Sequence, residues 1–222
     1  MGTTTSRVGA STVGGDLSAY GSYKWDGAVW AGGCIFGMPC NAPQVLKVDP
    51  SQGTAAPVGP DLSAHGHWKW YGGVMGDDDC IYGIPRGASH VLRFDWKEET
   101  ASLIGPDLSE HGDSKWWGGV LAADGWIYCV PCSADRVLRI HCASQAVECF
   151  GPPLHELPGW AEEQHGDRKW NGGVLAADGA IYCVPSSAAR VLVIVPSAGA
   201  RVHNPTTHGT AAPRQLQLEP SA

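Results

Sequence analysis

A chain of 222 residues, 43% of them hydrophobic, is long enough to bury one substantial core. Its net charge of −7, with no basic run, excludes the electrostatic footprint of a nucleic-acid binder. No apolar stretch approaches the roughly 18 residues of a membrane-spanning helix, so no membrane span is expected.

Residues 1–9 read as a flexible tail. They carry no apolar segment of the secretory kind, so a cytoplasmic location is expected. Gly2 and Ser6 fit the short pattern for N-myristoylation, against which stands a plain flexible start. From Ala10 the text ASTVGGDLS matches ASLIGPDLS at 101–109. It reads as the end of a repeat unit whose beginning lies elsewhere, which suggests that an N-terminal strand closes the last unit of a ring.

The pair Lys-Trp then recurs at Lys24-Trp25, Lys69-Trp70, Lys115-Trp116 and Lys169-Trp170, with steps of 45 (24 to 69), 46 (69 to 115) and 54 residues (115 to 169). A period in this range signals a repeat architecture. The clearest copy is HGDSKWWGGVLAADGWIYCVPCSADRVLRI, His111 to Ile140. Within it GGVLA is a short apolar strand, and Asp124-Gly125 supplies hairpin turn chemistry. WIYCV is a second strand, stopped by Pro131, which cannot donate to a central ladder. VLRIH alternates as a third strand should, and AVECF is a fourth. Four short antiparallel strands in about 45 residues match one blade of a β-propeller.

The fold class expected is therefore all-β and β-propeller-like, with about four blades spanning 10–203 (24–59, 69–105, 115–151 and 169–203). Residues 204–222, polar and Pro-rich, read as a disordered tail. A lone blade cannot cover both faces of its sheet, so neighbours must. The repeated indoles are the natural wedges: each buries ~150–250 Å², worth several kcal/mol at ~25 cal/mol per Å². Four blades sit at the lower limit for a closed ring, which leaves open a piece of a larger propeller or pairing with another copy.

The eight cysteines fall on repeat positions and have no second CxxC at zinc-ribbon spacing, so they read as reduced core residues. No cofactor is expected. Three histidines on separate blades are a poor zinc set, because blades splay away from one another. Asp77-Asp78-Asp79 reads as a solvated turn rather than a calcium loop.

Chemistry is expected on the loops that precede each Lys-Trp. Lys24, Lys69, Lys115 and Lys169, with His65, His111 and His165, sit where a ring could face an anionic or polyhydroxyl ligand near the channel mouth. The competing reading lays each lysine stem over a tryptophan with its head in water, and lets each histidine bond a loop carbonyl. Tyr71 and Trp117 occupy the position after the wedge, held elsewhere by Asp26 and Asn171; that variation suits a ligand-facing site. The long connector 152–168 inserts about eight residues, the kind of loop that carries special contacts. No G-x-S-x-G or H-E-x-x-H arrangement is present.

At the level of KWxGGVLAADGxIYCVPxxAxxVLxI, residues 10–195 resemble repeat proteins common in algae and other unicellular eukaryotes, regarded as β-propeller-like and akin to kelch or NHL-type blades. The resemblance implies a fold and brings no activity with it. Kelch blades order their glycines and tryptophan differently, so kelch function would be borrowed from fold alone. The first functional expectation is a non-enzymatic module that offers one face to a protein or glycan partner. A second, from another class, is a propeller-type lyase or hydrolase with a site at the channel mouth. A third is a truncated repeat fragment without independent function.

Overall fold

The hairpin turns and proline stops of the repeat produce short strands and no helix longer than a single 3₁₀ turn among the described residues. The computed structural model describes residues 9–158, 160 and 167–197. Blade one comprises β1 (Trp25–Ala31), β2 (Cys34–Pro39), β3 (Val45–Asp49) and β4 (Thr54–Val58). Blade two comprises β5 (Trp70–Met75), β6 (Ile81–Pro85), β7 (Val91–Asp95) and β8 (Thr100–Ile104). Blade three comprises β9 (Trp116–Leu121), β10 (Trp126–Pro131), β11 (Val137–His141) and β12 (Ala146–Phe150). Blade four has β13 (Trp170–Leu175), β14 (Ile181–Pro185) and β15 (Leu192–Ile194). Each sheet is an antiparallel meander; the first three are four-stranded and the last is three-stranded among the described residues. The fold is all-β and propeller-like. The inner strands β1, β5, β9 and β13 pack in that order around one axis.

Alternation gives every blade two apolar faces. The face carrying the Lys-Trp indole will be called leading, and the opposite one trailing. Phe36, Met38 and Val45 on the trailing face of blade one meet Trp70, Ile81, Leu92 and Phe94 of blade two. Tyr82, Ile84 and Val91 meet Trp116, Ile127, Leu138 and Ile140 in the same way, and Tyr128, Val130 and Val137 meet Trp170, Ile181, Leu192 and Ile194. The indoles are thus wedges between blades, and Trp70, Trp116 and Trp170 are buried. Each also keeps its one polar atom satisfied: Trp25, Trp70, Trp116 and Trp170 donate Nε1–H to the carbonyls of Gln44, His90, Arg136 and Arg190 at 2.8, 3.0, 2.9 and 2.8 Å.

Ring closure by the N-terminal segment is corrected. The Gly14 N–H bonds the Gly53 carbonyl at 3.1 Å, which places Gly14 beside the β3–β4 turn of blade one, and, among the described residues, 9–17 form no strand with β15. A strand can pair only with an edge within reach, and β1 and β13 do not pack together as consecutive inner strands do. The expected tails at 1–9 and 204–222 lie outside the described residues except for Gly9, as does the Gly2 and Ser6 pattern. Among the described residues no helix is long and apolar enough to cross a membrane.

All eight cysteines are free, and six are buried; Cys34 and Cys149 are half-buried. Burial alone pushes the Cys129 thiol up, and it is the main force raising Cys142 and Cys183, each to about 12. At neutral pH a thiol-specific disulfide reagent is therefore expected to react promptly with at most Cys34 and Cys149 in the native chain, and with all eight cysteines after denaturation. Prompt reaction of more than two would show that the blade cores breathe open.

Candidate binding site at the mouth of the blade arc

The mouth is built where the inner strands begin and the second strands end. At this end the Lys-Trp lysines act as clamps between blades. The Lys69, Lys115 and Lys169 N–H groups donate to the carbonyls of Cys40, Arg86 and Cys132 on the preceding blade, at 3.0, 3.1 and 2.9 Å. Their ammonium groups reach the same loops. Lys69 Nζ donates to Ala42 O at 3.0 Å, Lys115 Nζ to Gly87 O and Gly112 O at 3.3 Å each, and Lys169 Nζ to Ser133 O at 2.9 Å. All three lysines are buried, and desolvation is the first cause lowering each pKa. Their heads are in neither water nor a ligand cavity, because loop carbonyls of the neighbouring blade capture them. Lys24, which has no blade packed before it among the described residues, stays half-exposed and makes no such bond there.

The histidines serve the wedges. His65 meets the Trp70 ring edge-on at 6.0 Å and His111 meets Trp116 at 5.3 Å. Tyr20 fills this place beside Trp25 at 5.6 Å, and Trp160 of the long connector lies 6.3 Å from Trp170. His165 lies outside the described residues. Asp78 in the acidic turn accepts from the Tyr82 hydroxyl at 3.0 Å and from Arg93 at 2.8 Å. Asp124 and Asp178 accept from Tyr128 and Tyr182 in the same way. Among the described residues no three His, Cys, Asp or Glu side chains group as metal ligands would.

Tyr71 and Trp117, by contrast, converge on a cavity of about 580 Å³ at the mouth. With Tyr23 and Trp68 they form a continuous arc of rings: Tyr23–Trp68 at 4.7 Å, Trp68–Tyr71 at 6.3 Å and Tyr71–Trp117 at 4.7 Å. Arg86 stands inside the arc. Its guanidinium carbon lies 4.4 Å from the Tyr71 ring centre, 5.2 Å from Trp68 and 5.7 Å from Trp117. Only 8% of Arg86 is exposed, and its buried Nε finds no hydrogen-bond partner. Burial pushes the Tyr71 phenol up to about 12, so it is a neutral donor at physiological pH. Burial also raises Asp26, which shares Tyr71's place in its own blade, although a hydrogen bond from the Gly72 backbone and the charge of Arg86 pull the other way.

Four of the mouth residues were not singled out by the sequence. Tyr23, Trp68, Ser114 and Arg168, each just before a Lys-Trp lysine, hold the left-handed conformation at φ of 49°, 53°, 54° and 62°, and all four line the cavity. Side-chain-bearing residues rarely sit there, and each does so at a cost of about 1–3 kcal/mol. The repeat contained one signal: this position changes from blade to blade while the lysine after it does not. Arg86 hid in another way, since its template position holds Cys40, Cys132 and Ser186 in the other blades and reads as core.

The arrangement can stack a ring, grip an anion and bond hydroxyl groups. No protein-family model and no curated protein matches the chain. Its likeness is to solved β-propeller structures. A streptogramin B lyase superposes with a TM-score of 0.58 at 13% identity, covering 78% of this chain and 52% of the lyase chain. A catalytically inactive variant of virginiamycin B lyase from Staphylococcus aureus, with quinupristin, has a TM-score of 0.58 at 15% identity, covering 83% and 58%. An auxiliary nutrient-binding protein from Bacteroides ovatus has 0.54 at 13%, covering 78% and 45%. The chain thus spans about half the length of the propellers it resembles, and at these identities the likeness is one of fold.

Proposed function

We propose that this chain is a non-enzymatic binding module whose mouth takes a glycan bearing a carboxylate. The observation that carries the reading is Arg86: a guanidinium nine-tenths buried, ringed by three aromatic side chains, with no protein acceptor among the described residues. A buried cation is costly unless something answers its charge. The π faces answer part of it, with about 2 kcal/mol or more available to a desolvated cation, and the Asp26 carboxylate answers part from within the protein without bonding to it. A planar carboxylate engaging the two terminal nitrogens would answer the rest. The exposed ring of Tyr23 offers a stacking face for a sugar, and Asp113 offers an acceptor for hydroxyls.

Calorimetric titration of the full chain with uronate-containing and neutral oligosaccharides tests this. Binding of the acidic set alone is expected, with about a tenfold loss on Tyr23→Ala, equal to ~1.4 kcal/mol. Arg86→Met should abolish the preference for acid. Tyr23 is exposed, so its variant should melt as the parent does. Absence of binding to either set would end the reading, and turnover of a lactone or ester panel would move the protein into the enzyme class.

A further inference from the structure

The three interfaces between blades are variations on one joint, and the arc displays both halves of that joint unpaired at its ends. On blade four the trailing face is open: Val174, Tyr182, Val184, Val191 and Val193 are 66, 40, 59, 52 and 45% exposed. The same positions on blade three are Val120, Tyr128, Val130, Val137 and Arg139; of these Tyr128, Val130 and Val137 are 0, 0 and 6% exposed beneath blade four. Blade four also replaces the cation of that row, Lys47, Arg93 or Arg139, with Val193, which removes the charge from that row. On blade one the leading face is open instead. Ile35, Leu46 and Val48 are half-buried where their counterparts Ile81, Leu92 and Phe94 are 0% exposed, and Trp30 beside them is 63% exposed.

The polar clamp is unpaired in the same places. Among the described residues, Lys24 alone of the four lysines lacks a carbonyl from a preceding blade, while the corresponding carbonyls of blade four, on Ser186 and Ser187, receive no lysine. Apolar surface of this extent is rare on a chain that works alone.

We infer that two copies of this chain close into one eight-bladed ring, with blade four of each covering blade one of the other. Three observations select a second copy as the occupant. The required partner surface is a leading blade face with an indole and a lysine clamp, and this chain carries one unpaired. The chain covers 52 and 58% of two propeller chains that share its fold, so two copies supply about one such ring. Eight blades lie within the range over which propellers close, and four blades with an unfilled gap do not complete one. In a two-fold arrangement every contact from blade four to blade one recurs with the copies exchanged, which is the condition for closure.

Sedimentation equilibrium of the full chain between about 1 and 100 μM tests the ring. The expected mass is twice 23.4 kDa. Val184→Glu and, separately, Trp30→Glu should each return it to 23.4 kDa with circular dichroism and cooperative melting retained, because both side chains are exposed in the single chain. Ala143→Glu, exposed in the β11–β12 turn of blade three and away from both open faces, should leave the dimer intact. Lys24 should be shielded from an amine-reactive reagent in the parent and labelled in the Val184→Glu monomer. A parent that stays monomeric throughout, a dimer indifferent to both glutamates, or an open ladder of larger masses would each overturn the proposal.

Discussion

Replacing Trp116 with alanine is expected to lower stability by about 4 kcal/mol, a shift in melting temperature on the order of 10 °C for a chain of this size. The side chain is fully buried between blades two and three, donates Nε1–H to Arg136 O at 2.9 Å, and has His111 against its edge. Truncation loses the burial, leaves a cavity that two rigid sheets cannot collapse, and strands a carbonyl. Trp25 makes the same kind of bond, to Gln44 O at 2.8 Å, yet is only half-buried because, among the described residues, no blade leans on blade one from in front. Trp25→Ala should therefore cost about half as much or less. Urea unfolding of both variants in the Val184→Glu background keeps blade one's face uncovered whatever the oligomeric state. Equal losses would show that the indoles stabilise their own sheets and do not act as wedges between blades.

That contrast marks how far the sequence could be read. A wedge is legible because a large apolar side chain recurring at one strand position has few places to go. The fate of the lysine beside it is not, because the carbonyl that captures Lys69 belongs to Ala42, 27 residues earlier on another sheet. Periodicity says that a lysine recurs; only the approach of two blades says whether its head meets water, ligand or backbone. His65 and His111 were legible as loop residues, whereas their edge-on contacts with Trp70 and Trp116 depend on how each 3₁₀ turn folds back over the wedge. The match of 10–18 with 101–109 was real text with a misleading implication: four copies of a strand motif do not fix whether the arc turns far enough to bring the N-terminus to β15. Tyr71 and Trp117 stand at a position whose variation the repeat displays, and both line the cavity at the mouth. A position that varies among units of one repeat is released from the joint that keeps the units alike, and the same logic applied one residue before each lysine would have added Tyr23, Trp68, Ser114 and Arg168.

The closeness of the blades at the axis can be read through two glycines. Each inner strand carries a break in register just after its wedge, between Asp26 and Ala28 on β1 and between Trp170 and Gly173 on β13. Gly27 and Gly172 sit in these breaks at φ of 66° and 78°. A Cβ on Gly27 would lie 2.6 Å from the Gly72 Cα and 3.3 Å from the Gly72 and Gly73 nitrogens, all of them backbone of the next blade; a Cβ on Gly172 would meet nothing within 4 Å. Alanine at either site bears the left-handed penalty of about 1–2 kcal/mol. Only at Gly27 must it also push two sheets apart along their most closely packed line, against the wedge Trp70. Gly27→Ala is therefore expected to cost about 3 kcal/mol and Gly172→Ala about 1 kcal/mol, both measured by urea unfolding in the Val184→Glu background. The backbone penalty is common to both, so the difference isolates the inter-blade approach. If the two variants lose the same amount, β1 and β5 do not touch at the axis, and the aromatic arc from Tyr23 on blade one to Trp68 on blade two, which depends on that approach, does not form in solution.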